Sequence, residues 1–259
     1  MYKKKVIYLI FILSLLLISV LYLYSRFSIA TENTHYANLE PVNDRNLTIG
    51  IIGDSWVTGG NMEATLQLAF KTIGLKATVV SSGMGGAKTK QVYRNLFAGE
   101  KDIFSSAFIK KKQVKYCIVC CGVNDSFGQF GKKHYSKHMC LIIKELLKYN
   151  IKPVIVELPT YGVNELQGNL HFLNKIKNHV FAFFNNDSGI DNIKEYRAAL
   201  TEELKKQLLR DKIIFIDYDK ICVDYSKCPE YYSDHLHLTK QGNYWLCDEI
   251  AKAIDSDWN

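Results

Sequence analysis

Thr48-Ile49-Gly50-Ile51-Ile52 runs directly into Gly53-Asp54-Ser55, and this change from apolar to polar decides how the rest of the chain reads. A short, isoleucine-rich run fits a strand buried on both faces. It stops at a triplet that leaves one serine hydroxyl at the carboxyl end of the strand, the edge of an open α/β sheet where ligands and chemistry collect. Similar runs at 76–80, 115–121, 152–157 and 213–217 are rich in Val and Ile, and a helix-length segment follows each. Helical patterns are clearest over 61–73, 133–149, 165–185, 191–210 and 240–254. Leu141, Ile142, Ile143, Leu146 and Leu147 give one of them an apolar stripe. Thr239 can cap the last, with Gly242 inside it. The alternation predicts one three-layer α/β/α sandwich around a parallel sheet of five strands, in the flavodoxin-like order 2-1-3-4-5.

The 259-residue chain is long enough for one large domain with a full core and a tail. With 47% hydrophobic and 23% charged residues, a folded body is expected, not disorder. The amino terminus stands apart: Lys3, Lys4 and Lys5 precede an uncharged apolar run from Val6 to Tyr24, enough to span a bilayer as a helix. Tyr8, Tyr22 and Tyr24 lie near its ends, where amphipathic rings favour the interface, and the lysines favour the cytoplasmic side. The expected organisation is a basic cytoplasmic tail over 1–5, a transmembrane signal anchor over 6–24, a polar linker over 25–46, and a domain over 47–259 exported to the periplasmic or extracellular face. The competing reading is a signal peptide cleaved after Ser28-Ile29-Ala30, giving a secreted protein. The run exceeds a signal core of about 7–15 residues, which favours the anchor. No cysteine follows it, which argues against a lipoprotein.

The formal charge of +7 overstates the basicity of the domain. Lys3, Lys4, Lys5 and Arg26 belong to the amino-terminal segment, and without them the 33 basic residues exceed the 26 acidic ones by only 3. That is too mild to argue for nucleic acid. Lys110-Lys111-Lys112 reads as a solvated helix end. Seven cysteines leave at least one free or paired between chains. Cys117, Cys120 and Cys121 fall in a buried strand, where cysteine acts as a small hydrophobe, whereas Cys222 and Cys228 flank a polar loop they could staple in an oxidising compartment. No zinc-type spacing is present.

A serine hydroxyl needs a base within hydrogen-bond reach and a third group to orient that base. Ser233-Asp234-His235-Leu236-His237-Leu238 offers both. In a tight turn leading into a helix, Asp234 can fold back on Nδ1 of His237 and leave Nε2 facing Ser55. The developing oxyanion needs aimed donors. Gly83-Met84-Gly85-Gly86 can bring bare N–H groups close to a substrate, and Asn124, in Gly122-Val123-Asn124-Asp125, can add a side-chain amide beside the Ser55 N–H. Each piece alone is common in turns; four in this order, each at a strand end, are specific together.

These blocks resemble the SGNH, or GDSL-type, serine hydrolase family: Ile52-Gly53-Asp54-Ser55, then Gly-Met-Gly-Gly-Ala-Lys-Thr at 83–89, Gly122-Val123-Asn124-Asp125, and Asp234-His235-Leu236-His237-Leu238. The resemblance spans about residues 47 to 254. It implies Ser55 as nucleophile, Asp234 and His237 as its triad partners, and Ser55, Gly86 and Asn124 as oxyanion donors, with Gly85 the alternative to Gly86. It implies no metal or cofactor. Two positions depart from the family pattern: Trp56 follows the serine where Leu or a similar residue is usual, and Ala87 stands where an acid is common.

Other polar residues read as structural. Asp54 suits the loop N–H groups, alternation points His235 away from His237, and His134, His138, His171 and His179 read as surface histidines. Trp56, Tyr161, Tyr231 and Tyr232 are divided between cleft lining and ordinary packing. Asn46, Asn124 and Asn186 lie in glycosylation sequons, and a glycan at Asn124 would block chemistry, which suits a host without that modification. The expectation is a serine esterase acting through an acyl-enzyme on an acylated small molecule or glycan, with acetyl removal from envelope polysaccharide as the leading case. The membrane is reached through the amino-terminal helix, and no obligate protein partner is evident. Alternatives are an O-acyltransferase using the same triad, a lipid esterase or thioesterase, for which no apolar lid segment is found, and a non-catalytic glycan-binding or scaffold protein. The loops 56–62, 125–132 and 160–169 are candidates for specificity.

Overall fold

Five apolar runs become strands in the computed structural model: β1 (Leu47–Gly53), β2 (Ala77–Gly83), β3 (Tyr116–Cys120), β4 (Lys152–Val156) and β5 (Ile214–Ile216). They pair in parallel in the order β2-β1-β3-β4-β5, as the pattern predicts. Ile49, Ile51, Ile52, Ile118, Val119, Val154 and Ile155 are fully buried, because helices close both faces of the central strands. The structure describes residues 2–34, 47–99, 101–111 and 114–259. These fall into two compact units, Met1–Thr31 and Glu32–Asn259.

The first unit is helix α1 (Tyr2–Phe27) with the residues after it. Its window Ile10–Phe27 has a mean hydropathy of 2.0, and the helix is long and apolar enough to cross a membrane. Of the polar stretch read as a linker, residues 25–27 continue α1, and 35–46 lie outside the described residues. In the second unit Glu32 pairs with Lys144 at 2.8 Å, and the Asn33 N–H donates to the Tyr93 hydroxyl at 3.0 Å.

The helices of the second unit are α2 (Ser55–Gly59), α3 (Met62–Thr72), α4 (Thr89–Asn95), α5 (Phe108–Lys111), α6 (Val123–Phe127), α7 (Lys132–Lys148), α8 (Val163–Gly168), α9 (Phe172–Asn185), α10 (Ile193–Lys206) and α11 (Lys240–Trp258). One layer is α3 packed on α11, against β2 and β5; the other is α7 between α4 and α10, against β1 and β4. The single helical pattern over 165–185 is two helices, interrupted between Gly168 and Phe172. The short helices α2, α4 and α6 carry too few residues to show a period, so pattern reading passes over them.

Two expectations are corrected, and a third, the cysteine staple, is met. His134 and His138 are 3% and 0% exposed, not surface residues, because α7 is flanked by two helices and turns its polar positions inward as well. Burial, with the neighbouring His134, pushes His138 down to about 4, which keeps it neutral. Lys110 is not a solvated helix end: it pairs with buried Glu145 at 3.3 Å and lies over the Phe97 ring. Lys112 and the side chain of Lys111 lie outside the described residues. Cys222 and Cys228 form a disulfide with Cα atoms 6.1 Å apart, while Cys117, Cys120, Cys121, Cys140 and Cys247 are free and buried.

The carboxyl ends of β1 and β3 touch where the chemistry collects. A Cβ on Gly53 would lie 2.0 Å from the Cys120 carbonyl oxygen, so only glycine lets the two backbones approach this closely. Gly53→Ala is expected to destabilise the protein by about 3 kcal/mol, at the upper end of overpacking costs. The urea midpoint should fall with the transition slope unchanged; an unchanged midpoint would contradict this contact.

Candidate active site

Ser55 opens α2 directly after β1. Asp54 caps that helix by accepting the Trp56 N–H at 3.1 Å, and the Asp54 N–H donates to the Cys120 carbonyl at 3.2 Å. The serine is thereby fixed at the end of the sheet's central pair. The fourth block arrives from the other end of the chain. Tyr232 and Leu238 form an isolated bridge, and the Ser233 N–H donates to the His237 carbonyl at 2.8 Å, closing a tight turn. Thr239 then caps α11 through the Gly242 N–H at 3.1 Å, as its position in the sequence suggests.

Within that turn, Asp234 Oδ1 accepts from the N–H groups of Leu236 and His237 at 2.7 and 2.6 Å, and Oδ2 lies 2.8 Å from His237 Nδ1. His237 Nε2 is 3.2 Å from Ser55 Oγ. Nδ1–H donating to Asp234 leaves Nε2 to accept from the serine, the geometry a general base requires. Partial burial works against the Asp234 charge, but the bonds from His237 and the two N–H groups prevail and hold its carboxyl below the usual range. His235 turns away, its Nδ1 2.9 Å from the Tyr225 hydroxyl, so Asp234, His235 and His237 do not converge on one point.

The candidate oxyanion side is assembled by two buried carboxyl groups. Asn124, in α6, donates its Nδ2 to Asp54 Oδ2 at 3.3 Å, which ties it to the serine turn. Asp125 accepts from the N–H and hydroxyl of Thr89 at 2.8 and 2.7 Å and lies 3.1 Å from His134 Nδ1. That clamps the start of α4, and with it the glycine loop, to α6. The loop is held at its other end by the Met84 N–H, which donates to the Gly53 carbonyl at 3.1 Å. Gly86 adopts φ +74°, a left-handed conformation that suits glycine. Among the described residues, none accepts from the N–H of Ser55, Gly85 or Gly86, so all three are available to an anion. Ala87 is fully buried, which accounts for the absence of an acid there.

Burial pushes the Asp54 carboxyl up to about 7, the Trp56 N–H opposing it and the charge of Asp125 adding to it. Asp54 is therefore mainly neutral below that pH and there places little negative charge beside the candidate oxyanion donors.

A cavity of about 100 Å³ adjoins the serine, lined by Ser55, Trp56, Gly60, His237, Leu238 and Asn243. Of the three loops proposed for specificity, only 56–62 contributes to it. Tyr161 and Tyr232 are core residues, bonded to Ser126 Oγ at 2.8 Å and to the Tyr218 hydroxyl at 2.9 Å. Trp56 is buried yet borders the cavity. Sequence reasoning missed Asn243, whose Nδ2 donates to the Gly60 carbonyl at 2.7 Å and holds that wall. The signal for it was a polar residue one turn after Thr239 on the buried side of α11. A larger depression of about 640 Å³, bordered by Leu47, Gln67, Leu68, Leu75, Ala77 and Thr78, lies at the opposite edge of the sheet and brings together no histidine or carboxylate.

Residues 51–245 match the model of the GDSL-like lipase/acylhydrolase family, and the chain belongs to that family. It is a carboxylic ester hydrolase of the SGNH/GDSL class. Similar solved structures include an acetyl xylan esterase (17% identity, 80% of this chain and 100% of that one, TM-score 0.57). A lipase/acylhydrolase from Enterococcus faecalis gives 16%, 82% and 96% with a TM-score of 0.61. The psychrotrophic esterase EstA from Pseudoalteromonas sp. gives 15%, 83% and 100% with a TM-score of 0.57. At these identities the likeness is one of fold. A curated relative, GTPase Obg of Mycoplasma capricolum, is 28% identical over 195 residues, covering 67% of this chain; the chain spans 43% of that protein's length. The Gly-Lys pair here, Gly131-Lys132, is followed by Lys133, so the phosphate-binding G-x-x-x-x-G-K-[ST] pattern is absent.

Two outcomes follow. A carboxyl with a raised pKa favours the fold while protonated, and that contribution is lost as pH climbs from the unfolded value toward the folded one. Asp54→Asn should therefore gain stability relative to wild type between about pH 4 and about pH 7, then hold a constant difference, as urea titrations across that range would report. A flat difference throughout would contradict the raised pKa. Asn124→Ala should lower kcat about 10²–10³-fold, as loss of one oxyanion donor does, with KM little changed.

Proposed function

We propose that the protein is a membrane-tethered, exported serine esterase that removes short acyl groups, acetyl foremost, from carbohydrate or envelope polysaccharide. The observation that carries this reading is the Asp234–His237–Ser55 relay, with contacts of 2.8 and 3.2 Å, beside a cavity of about 100 Å³. Drug-sized ligands occupy sites of about 300–1,000 Å³. This cavity suits an acetyl group better than a long acyl chain, which supports a short-acyl esterase over a lipid esterase or thioesterase.

In this mechanism Ser55 Oγ attacks the ester carbonyl while its proton passes to His237 Nε2. Asp234 stabilises the imidazolium that forms. The oxyanion takes hydrogen bonds from the Ser55 N–H, the Gly86 N–H and Asn124 Nδ2. His237 then returns the proton to the departing alcohol, and water, deprotonated by the same imidazole, hydrolyses the acyl-enzyme. The side chains of His237 and Asp234 are 43% and 54% exposed. Water therefore reaches the acyl-enzyme freely, which favours hydrolysis over transfer to a second sugar. Export is supported by the Cys222–Cys228 disulfide, a bond of oxidising compartments, and tethering by α1. The carbohydrate preference is supported by the fold shared with an acetyl xylan esterase.

The test is acetate release by the full chain in detergent from p-nitrophenyl acetate and an acetylated oligosaccharide, with p-nitrophenyl decanoate for comparison. Ser55→Ala and His237→Ala should each lose about three orders of magnitude or more, and the decanoate should be a poor substrate. Equal rates in wild type and both variants would overturn the serine mechanism. A preference for decanoate would overturn the short-acyl assignment.

A further inference from the structure

Helix α9 is built inside out. Its buried positions are Asn178 and Ala182, while Phe172, Leu173, Ile176, Val180, Phe183 and Phe184 are between 45% and 82% exposed. At 100° per residue, the six apolar side chains occupy one arc about 120° wide. Asn178 and Ala182 lie on the opposite side. The helix is attached through amides: Asn178 Nδ2 donates to the carbonyl of Phe127 at 3.2 Å and to Gln167 Oε1 at 3.0 Å, and Asn185 Nδ2 to the Gln129 carbonyl at 2.9 Å. Asn186 Nδ2 adds a bond to Gln129 Oε1 at 2.7 Å. Polar contacts thus hold α9 to the domain and aim its apolar face outward, the reverse of a helix that exists to fill a core.

We infer that this face is a docking surface for the lipid bilayer, with α9 lying in the membrane interface. Three observations select lipid over a protein partner. First, the stripe combines three phenylalanines with aliphatic residues, and Lys177 flanks one margin while Lys175 and His179 flank the other. This is the pattern of an interfacial amphipathic helix. Second, no acidic residue occurs from His171 to Asn186, so the segment carries only positive charge and complements anionic headgroups. Third, the same chain carries α1, long and apolar enough to cross a membrane; here the inference rests on the tethered reading, which brings a bilayer within reach. An exposed stripe of this extent in an exported domain otherwise invites aggregation. Phe127, whose carbonyl accepts from Asn178, is the last residue of α6, the helix that bears Asn124. Seating α9 therefore places the catalytic edge near the membrane surface, and the esters within reach are those held close to the bilayer.

The test uses the full chain reconstituted into vesicles of phosphatidylcholine with a minor fraction of phosphatidylglycerol. An environment-sensitive fluorophore is attached at Phe183→Cys and, as a control, at Leu208→Cys, which is 78% exposed in the turn after α10. The five free native cysteines are buried and should not react. Each labelled variant must hydrolyse p-nitrophenyl acetate at the wild-type rate, which verifies its fold. Emission at 183 should shift to the blue and be quenched by lipids brominated near the headgroup, while emission at 208 stays aqueous. Aqueous emission at 183 would overturn the inference. So would a blue shift that ignores bromine and grows with the protein-to-lipid ratio, which would mean that a second copy covers the face. Alkaline carbonate extraction separates this result from the anchor. Retained chain with aqueous 183 refutes only the α9 inference, whereas released chain with bromine-quenched 183 refutes only the anchor.

Discussion

The site depends on the Asp54 carboxyl group. It has no catalytic contact of its own, yet it caps the helix that begins with Ser55 and accepts from the side chain of Asn124. One buried group thus sets the distance between the proposed nucleophile at the end of β1 and the proposed oxyanion donor beyond β3. Because it is buried its neutral form predominates below about pH 7, where it can join these parts without repelling the charge they stabilise. Asp125 joins the glycine loop to α6 in the same way, and Asp234 folds its own turn before it orients His237. Three carboxyl groups, each using backbone N–H groups as partners, convert loops at a sheet edge into a fixed constellation.

That arrangement explains why so much was legible in the sequence. Short isoleucine- and valine-rich runs bounded by turn residues read as strands, and their alternation with helical patterns leaves a parallel sheet as the economical solution. The four polar blocks are legible because each contains glycine or a helix-capping residue where the backbone must turn. What stayed hidden depends on neighbours distant in sequence. His134 and His138 read as surface residues until α4 and α10 are seen to enclose α7. Lys110 reads as solvated until Glu145, far along the chain, appears beneath it. Asn243 looks like an ordinary helix residue, and only the fold brings it to the Gly60 carbonyl. The outward stripe of α9 has a helical period like any core helix, and no periodicity reveals which side faces the domain.

The dimensions of the site and the character of the surface point the same way. A cavity of about 100 Å³ beside an open, water-accessible histidine suits a small acyl group on a large, solvated acceptor. An acceptor of that kind needs no deep binding cleft. It can be held by position, and a domain tethered by one helix and seated by another would supply position from the membrane. Specificity would then be divided between a pocket that measures the acyl group and a surface that selects where the enzyme works.

The most direct test of the central claim is covalent labelling of the folded full chain with a small alkyl fluorophosphonate, read by intact mass and peptide mapping. Such a reagent needs a serine activated by a base and an oxyanion site able to hold its phosphoryl oxygen. The account predicts one adduct, on Ser55, formed at neutral pH and abolished in His237→Ala. An unlabelled but folded wild-type protein would contradict it, as would an adduct that persists on another residue when Ser55 is replaced by alanine.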